Sequence, residues 1–520
     1  MNPTDHLQYA VCNPPGSLAQ RPASASVSQS AGIPSNRSVA SSVPIAILGV
    51  AFDNVTTSET IALIERMIAS HQPHYLVTAN VDFIVQARSD VELRRILLDA
   101  HLVLCDGTPV LWASRLLGNP LPERVAGSDL VPLLIQVAAR KKYRLFLLGA
   151  SEDSASRAVA KLQGQYPELI IAGHYSPPFN KLLEMDHEEI KRRISEAKPD
   201  LLLVSFGCPK QEKWISMHYR ALGVPVAAGV GATIDFLAGQ VKRAPAWMQR
   251  SGTEWIFRVA QEPRRLFRRY LKDLWVFGWS ILAQWWQLQF RLSKAPHGSN
   301  PSLDQQLTDA SVQTIRMAGR LDLAAVRDGS TFTAELVVEP RHCLLDMAAV
   351  EFIDSTGAGF LIQLQKKLHA ADRHLVLVAP SSIVQRALTL MHLEDFFASA
   401  PDLAAAEQLI QARAHEKSVA VPSGTSPAGN PVIWHGEITA ANAEEVWNLT
   451  RFCLNPTGLD VVIDLSAVRF IDSTGLGLMI RAKKLAQRQG KRVVFTGLQP
   501  AVRNVLHLAR LEEFLLGGPG

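Results

Sequence analysis

Leu201–Trp247 reads LLLVSFGCPKQEKWISMHYRALGVPVAAGVGATIDFLAGQVKRAPAW, and its punctuation decides the fold. The apolar run LLLVSF ends in Gly207-Cys208-Pro209-Lys210-Gln211-Glu212-Lys213 and passes into residues with helical periodicity. A second run, VPVAAGV, ends in Gly229-Val230-Gly231 and does the same. Short apolar runs that close on glycine turns and open into helices are the units of a parallel α/β sheet, whose ligand crevice lies beyond the carboxyl ends of its strands. Upstream segments repeat the plan. IAILGVAF after Pro44 predicts a strand, and Thr57 to Ser70 a helix with Thr57 or Ser58 as cap. HYLVTANVDFIV predicts a strand, a turn at Thr78-Ala79-Asn80 and a helix from Asp82; LVLCDGTPVLWASRLLG predicts a strand, a turn at Asp106-Gly107-Thr108-Pro109 and a helix. RVAGSDLVPLLIQVAAR reads as a helix, YRLFLLGAS as a strand with a helix from about Glu152, and LIIAGHYSPPF as a strand closing in a Pro-rich loop. The expected fold of this part is α/β, a largely parallel sheet in an α/β/α arrangement.

The 520 residues suit about three domains. A net charge of +5 is too small to argue for nucleic acid as a partner. The five cysteines (Cys12, Cys105, Cys208, Cys343, Cys453) are far apart and fall in or beside apolar runs, which excludes a disulfide framework or a CxxC metal site and favours a reducing compartment. Residues 1–43 are rich in Ser, Ala and Pro and lack the apolar core of a signal peptide, so a disordered leader is expected. No run of about 20 apolar residues spans a bilayer cleanly, and the expected location is the cytoplasm. No D-x-D occurs, so the usual carboxylate pair for a divalent metal on a nucleotide-sugar is missing.

Asp106 stands directly after the run LVLC, at a strand's carboxyl end. A turn aspartate commonly satisfies nearby backbone N–H groups; alternatively it is a general base within reach of a nucleophile's proton. Thr78 and Asn80 hold the equivalent place one unit earlier, as ordinary turn residues or as sugar contacts. Pro209 suits a first helical turn, which sets Lys210 and Gln211 beside exposed N–H groups where phosphate is favoured by dipole and charge. A capped helix with a solvated first turn would look the same. Gly229-Val230-Gly231 is a weak signal by itself.

Together Thr78-Ala79-Asn80, Cys105-Asp106-Gly107, Phe206 through Lys213 and Gly229-Val230-Gly231-Ala232 resemble the WecG/TagA/CpsF glycosyltransferases (glycosyltransferase family 26), in the family's order and spacing over roughly residues 45–290. The resemblance implies transfer of N-acetylmannosamine, its uronic acid or glucuronic acid from a UDP donor to a glycan on a polyprenyl diphosphate at the cytoplasmic membrane face. It implies inversion and independence of metal and of any other cofactor, in agreement with the missing D-x-D. By resemblance Asp106 deprotonates the acceptor hydroxyl, Thr78 and Asn80 hold a sugar, and Gln211 with the Gly229–Gly231 turn meets the UDP end; Lys210 is a substrate-binding candidate from its place at the helix start.

Lys242 to Asp273 carries nine basic residues against three acidic ones, and LWVFGWSILAQWWQLQF follows with Trp275, Trp279, Trp285 and Trp286. A basic stretch leading into a Trp-rich apolar helix suits an interfacial segment on an anionic leaflet, although a helix packed on the domain or on a second subunit fits the pattern too. The transferase-like domain is accordingly taken as 44–291, its part from about 242 membrane-associating and peripheral on the inner face. In the family the corresponding segment supplies arginines to the diphosphates; Arg258, Arg265 and Arg268 are the candidates, with Trp275 and Trp279 as anchors. The second-subunit reading of that helix allows a homo-oligomer.

Residues 292–309 read as a polar linker. Beyond it LLDMAAVEFIDSTGAG (344–359) matches VIDLSAVRFIDSTGLG (462–477) at an offset of 118, and the same offset aligns Leu393-Glu394-Asp395-Phe396 with Leu511-Glu512-Glu513-Phe514. A constant offset means two homologous domains, 310–413 and 430–520, with a flexible joint at 414–429. Each copy reads as strand, FIDSTG turn, helix, strand, helix, which places Ser355 and Ser473 at helix N-caps, where added negative charge is tolerated. Both copies resemble STAS domains, the small α/β fold of anti-sigma factor antagonists. The resemblance implies that the serine after Asp354 or Asp472 is a phosphoacceptor and that a Ser/Thr kinase of the anti-sigma type is a partner. Two functions follow: a membrane-associated UDP-sugar transferase with a tandem STAS module, or a STAS-type regulatory interaction protein that keeps a transferase fold.

Overall fold

The computed structural model describes residues 43–517 apart from 242–243, 246, 249–252, 262, 289–301, 308–311, 329–340, 419–431 and 455–460. The expected leader lies outside them except for Val43, which is buried. IAILGVAF, expected as one strand, is a hairpin: β1 (Ile45–Ile47) and β2 (Val50–Phe52) pair antiparallel around Leu48-Gly49. Both turn residues have positive φ, 48° and 85°, the backbone twist that a two-residue hairpin requires. A uniformly apolar run hides such a turn, because only Gly49 marks it.

Six strands follow: β3 (His74–Ala79), β4 (Leu102–Cys105), β5 (Arg144–Gly149), β6 (Ile170–Tyr175), β7 (Leu201–Ser205) and β8 (Val226–Gly229). They form one sheet, in the order β4-β3-β8-β7-β5-β6, with every neighbouring pair parallel. The continuous apolar runs are explained by helices on both faces. Leu76, Leu104, Leu147, Leu203 and Ala228 point into a core shared with helices Thr57–Ser70, Gly127–Lys141 and Glu152–Gln165. Tyr75, Val77, Val103, Leu148, Val204 and Ala227 alternate to the other core, under helices Val81–Ala87, Val91–Asp99, His187–Ala197 and Lys210–Leu222. This is the expected α/β/α arrangement.

The tail holds two small α/β domains. In the first, β10 (Val312–Leu321), β11 (His342–Ile353), β12 (Leu375–Val378) and β13 (Ala398–Ala400) are parallel in the order β13-β12-β11-β10. The expected linker 292–309 is not all linker: Ser302–Leu307 forms β9, antiparallel to β10 at the sheet's edge. An edge strand is held by backbone hydrogen bonds, so its polar sequence carried no strand signal. The helix Leu403–Ser418 likewise runs into the expected joint 414–429, whose remainder lies outside the described residues. In the second domain β14 (Val432–Ile438), β15 (Val461–Ile471) and β16 (Val493–Thr496) are parallel, with β15 central. The 118-residue offset survives in three dimensions, relating helix Ser355–Ala370 to helix Ser473–Arg488.

Candidate active site

The four segments singled out upstream leave the sheet from four adjacent strands, β4, β3, β8 and β7, all at their carboxyl ends. Thr78 pairs with Leu104 and Ala79 with Cys105, so Asn80 and Asp106 emerge side by side, and the Asp106 N–H donates to Ala79 O at 2.9 Å. Asp106 is half-buried. The Asn80 side-chain oxygen caps helix Val81–Ala87 by accepting from the Asp82 N–H. Thr78 is buried, and a Cβ placed on Gly127, at the start of helix Gly127–Lys141, would lie 3.2 Å from its Oγ1. Four helices begin around these strand ends without a side-chain cap: Thr108–Leu116, Gly127–Lys141, Lys210–Leu222 and Thr233–Ala238. Helices Thr57–Ser70, Val91–Asp99, Glu152–Gln165 and His187–Ala197 are capped by Thr56, Asp90, Ser151 and Asp186. Uncapped N-termini leave N–H groups and positive dipole ends available to an anion.

Gln211 sits across the crevice, only 3% exposed. Its side-chain oxygen accepts from the Gly207 N–H at 3.1 Å and the Gly231 N–H at 3.2 Å, so one carbonyl ties the β7 and β8 turns together. Its amide nitrogen donates to Glu212 Oε1 at 2.7 Å. Gly229 must be glycine here: a Cβ would come within 2.7 Å of both Gln211 and Glu212. Gly231 has a φ of +52° and open space where a Cβ would stand. Pro209 was expected within the first helical turn and instead precedes the helix, which begins at Lys210. The Lys210 ammonium donates to Asn180 O at 2.6 Å, and burial lowers its pKa. Sequence reasoning missed Glu212, whose burial pushes its pKa to about 7. Its place one residue after Gln211 was visible, but not its inward direction.

Asp82, also missed, ties the Trp-rich helix Pro263–Trp286 to this crevice. Its carboxylate accepts from Arg269 through both guanidinium Nε, at 2.8 Å, and Nη2, and Arg88 reaches Ser280 of the same helix. Phe277, Ile281, Gln284 and Leu288 are buried at helical spacing on one face. Phe267, Leu271, Trp275, Trp279, Leu282 and Trp286 are exposed at the same spacing on the other, Trp275 at 75% and Trp279 at 71%. Arg268 is exposed beside that stripe; the side chains of Arg258 and Arg265 lie outside the described residues. Among the described residues no helix is long and apolar enough to cross a membrane, and no group of three or more His, Cys, Asp or Glu is placed to hold a metal ion.

In the tail, Ser355 and Ser473 are not the N-caps they were expected to be. Asp354 and Asp472 are: each accepts from two N–H groups of the helix start, of Thr356 and Gly357 and of Thr474 and Gly475, and Asp472 takes a third from Ala440. A carboxylate is the stronger acceptor for two donors, so the serine becomes the first helical residue and its hydroxyl is turned elsewhere. Ser355 Oγ accepts from Gln284 Nε2 at 2.8 Å, and Ser473 Oγ donates to Glu92 Oε2 at 2.8 Å. Burial pushes both aspartates up to about 6.

A family model described as "Glycosyl transferase WecG/TagA/CpsF family" matches residues 45–291. Models described as "STAS domain" and "Mlab, STAS domain" match residues 298–406 and 432–517. N-acetylglucosaminyldiphosphoundecaprenol N-acetyl-beta-D-mannosaminyltransferases of Staphylococcus aureus strains MW2 and NCTC 8325 are each 32% identical over 237 residues, which is 45% of this chain and 91% of theirs. Among solved structures, the phosphorylated form of the Bacillus cell fate determinant SpoIIAA aligns with 21% of this chain and 99% of its own, at 19% identity and a TM-score of 0.19.

Proposed function

The chain belongs to the WecG/TagA/CpsF family of glycosyl transferases and carries two STAS domains, and on that premise we propose that it transfers a UDP-bound sugar of the N-acetylmannosamine, N-acetylmannosaminuronic acid or glucuronic acid type to a polyprenyl-diphosphate-linked glycan, inverting the anomeric centre without a metal. The observation that carries this reading is the convergence of Thr78, Asn80, Asp106 and the Gly207 and Gly229–Gly231 turns on four adjacent parallel strand ends. Asp106 takes the proton of the acceptor hydroxyl as that oxygen bonds to the anomeric carbon and the bond to UDP breaks. The leaving diphosphate is met by the uncapped helix starts, with Lys210 beside them; fixed dipoles of this kind need no rearrangement as charge develops. Gln211 acts on the UDP end through the two turns it joins. Thr78 and Asn80 border the place for the sugars.

The exposed stripe of Phe267, Leu271, Trp275 and Trp279 fits a peripheral contact with an anionic cytoplasmic leaflet, and the Arg269–Asp82 pair sets that contact next to the crevice. Arg258, Arg265 and Arg268 are then the candidates for the lipid diphosphate. Ser355 and Ser473 are the proposed phosphoacceptors for an anti-sigma-type kinase.

A panel of UDP-sugars with polyprenyl-diphosphate acceptors, run with and without chelator, tests the chemistry. Transfer should persist in chelator and fall roughly 10² to 10⁴-fold in Asp106→Asn, the usual contribution of a general base. Absence of transfer by the wild type from every donor, or an Asp106→Asn enzyme as fast as wild type, refutes the respective assignment.

A further inference from the structure

The two FIDSTG turns meet the transferase domain differently. At the first, Ser355 is fully buried and bonds a neutral amide, Gln284, inside a continuous apolar core that runs from Ile353 and Leu361 to Ile45, Phe52 and Ile281. At the second, the tail domain keeps a core of its own, and among the described residues the transferase adds only the partly buried Val91 and Leu183 to it. What joins these two bodies is polar. The Ser473 N–H and Oγ–H both donate to the Glu92 carboxylate, at 2.5 and 2.8 Å. Lys213 Nζ lies 2.8 Å from the same carboxylate and 2.7 Å from Asp90. Beside them Arg95 stacks on the Phe470 ring at 3.7 Å and pairs with Glu437 at 2.9 Å. Ser473 is 5% and Glu92 6% exposed, so water screens this contact little.

We propose that Ser473 is an intramolecular latch: its hydroxyl and amide hold Glu92 of the transferase, and an anionic group on that oxygen releases the second STAS domain. The contact needs the hydroxyl to donate, and an ionised phosphate or carboxylate has no proton to give. The new charge would also face Glu92, Asp90 and Asp472, while Lys213 is already shared between two carboxylates. Burial and the neighbouring Glu92 already raise the pKa of Asp472, so a further anion beside these two carboxylates is disfavoured. Since the oxygen is covered while docked, a kinase acts on the released domain and its product prevents return. In that transfer the serine oxygen bonds the terminal phosphorus of a nucleoside triphosphate, the bond to the diphosphate leaving group breaks, and the hydroxyl proton passes to the kinase. Only this trigger rests on the phosphoacceptor reading; the latch rests on the contact.

Hydrogen exchange with mass spectrometry on the full-length chain tests it without reference to transfer activity. Ser473→Asp should speed exchange in Val91–Asp99 roughly ten- to hundredfold, the scale of losing hydrogen bonds to a charged group, while β15 keeps its protection. Adding Glu92→Gln removes the repulsion and frees Lys213 to pair with the new carboxylate, so protection of Val91–Asp99 should return to about wild-type rates. Unchanged exchange in Ser473→Asp, failure of Glu92→Gln to restore it, or simultaneous loss of protection in β15 would each overturn the latch.

Discussion

At Glu212 a carboxyl group is held against its chemistry. It is enclosed beside Cys208 and Gln211, and burial raises its pKa from 4.5 to about 7. The folded chain therefore binds this proton more tightly than the unfolded chain does. The resulting stability is complete below about pH 4.5 and is lost as pH rises through 7. Glu212→Gln keeps an acceptor for Gln211 and removes the titration. Comparing urea midpoints at pH 5 and pH 8, the wild type should lose on the order of 3 kcal/mol relative to the variant; parallel pH profiles would refute this. Chain position was legible here and direction was not. The strand–turn–helix pattern puts Lys210, Gln211 and Glu212 at a helix start, but it carries no information on which side chain turns inward. Two of the three do, because Gly229 leaves room for them.

Among the elements, the helix Pro263–Trp286 shows what a pattern can and cannot carry. Its tryptophan cluster announced an interface in the sequence. Its buried face did not, because that face includes Asp273 and Gln284 on either side of Phe277 and Ile281 and so reads as solvated. Gln284 is held by long-range partners, bonding the Leu48 N–H, Ala46 O and Ser355 Oγ, whereas Asp273 faces Arg269 of its own helix at 4.0 Å. Apolar stripes on opposite faces mean that one is already used by the fold and the other stays exposed. Fully burying a large apolar side chain is worth about 1.5–3 kcal/mol. Trp275→Ala with Trp279→Ala should therefore lower partitioning onto anionic vesicles by at least about tenfold in sedimentation assays, with the melting temperature unchanged because both rings are exposed. Equal binding by variant and wild type would remove this helix from the membrane contact.

Across the whole molecule, the repeat at offset 118 made two tail domains legible, and the glycine-turn units made the parallel sheet legible. How the bodies pack was not, since both FIDSTG copies look alike in sequence and only their surroundings differ. The first STAS domain is part of the transferase core: β1 and β2 lie under helix Ser355–Ala370, where a Cβ on Gly359 would come within 2.0 Å of Pro44 O. Lys366 of that helix is enclosed there, donates to Ala100 O at 2.8 Å, and has its pKa lowered by burial against the opposing pull of Asp53 and Asp99. Ending the chain at residue 291 would expose Ile45, Ile47 and Phe52 and leave the half-buried Asp53 without the lysine that faces it. Uncovering fully buried apolar side chains costs about 1.5–3 kcal/mol each, together a large share of a domain's net stability. Ending it at residue 418 removes a domain that has its own core and leaves a polar face on helix Val91–Asp99. The 1–418 fragment should express as soluble protein with a cooperative melt close to that of the full chain, and the 1–291 fragment should aggregate or melt well below it. A 1–291 fragment as stable as 1–418 would show that the first STAS domain is an appendage like the second.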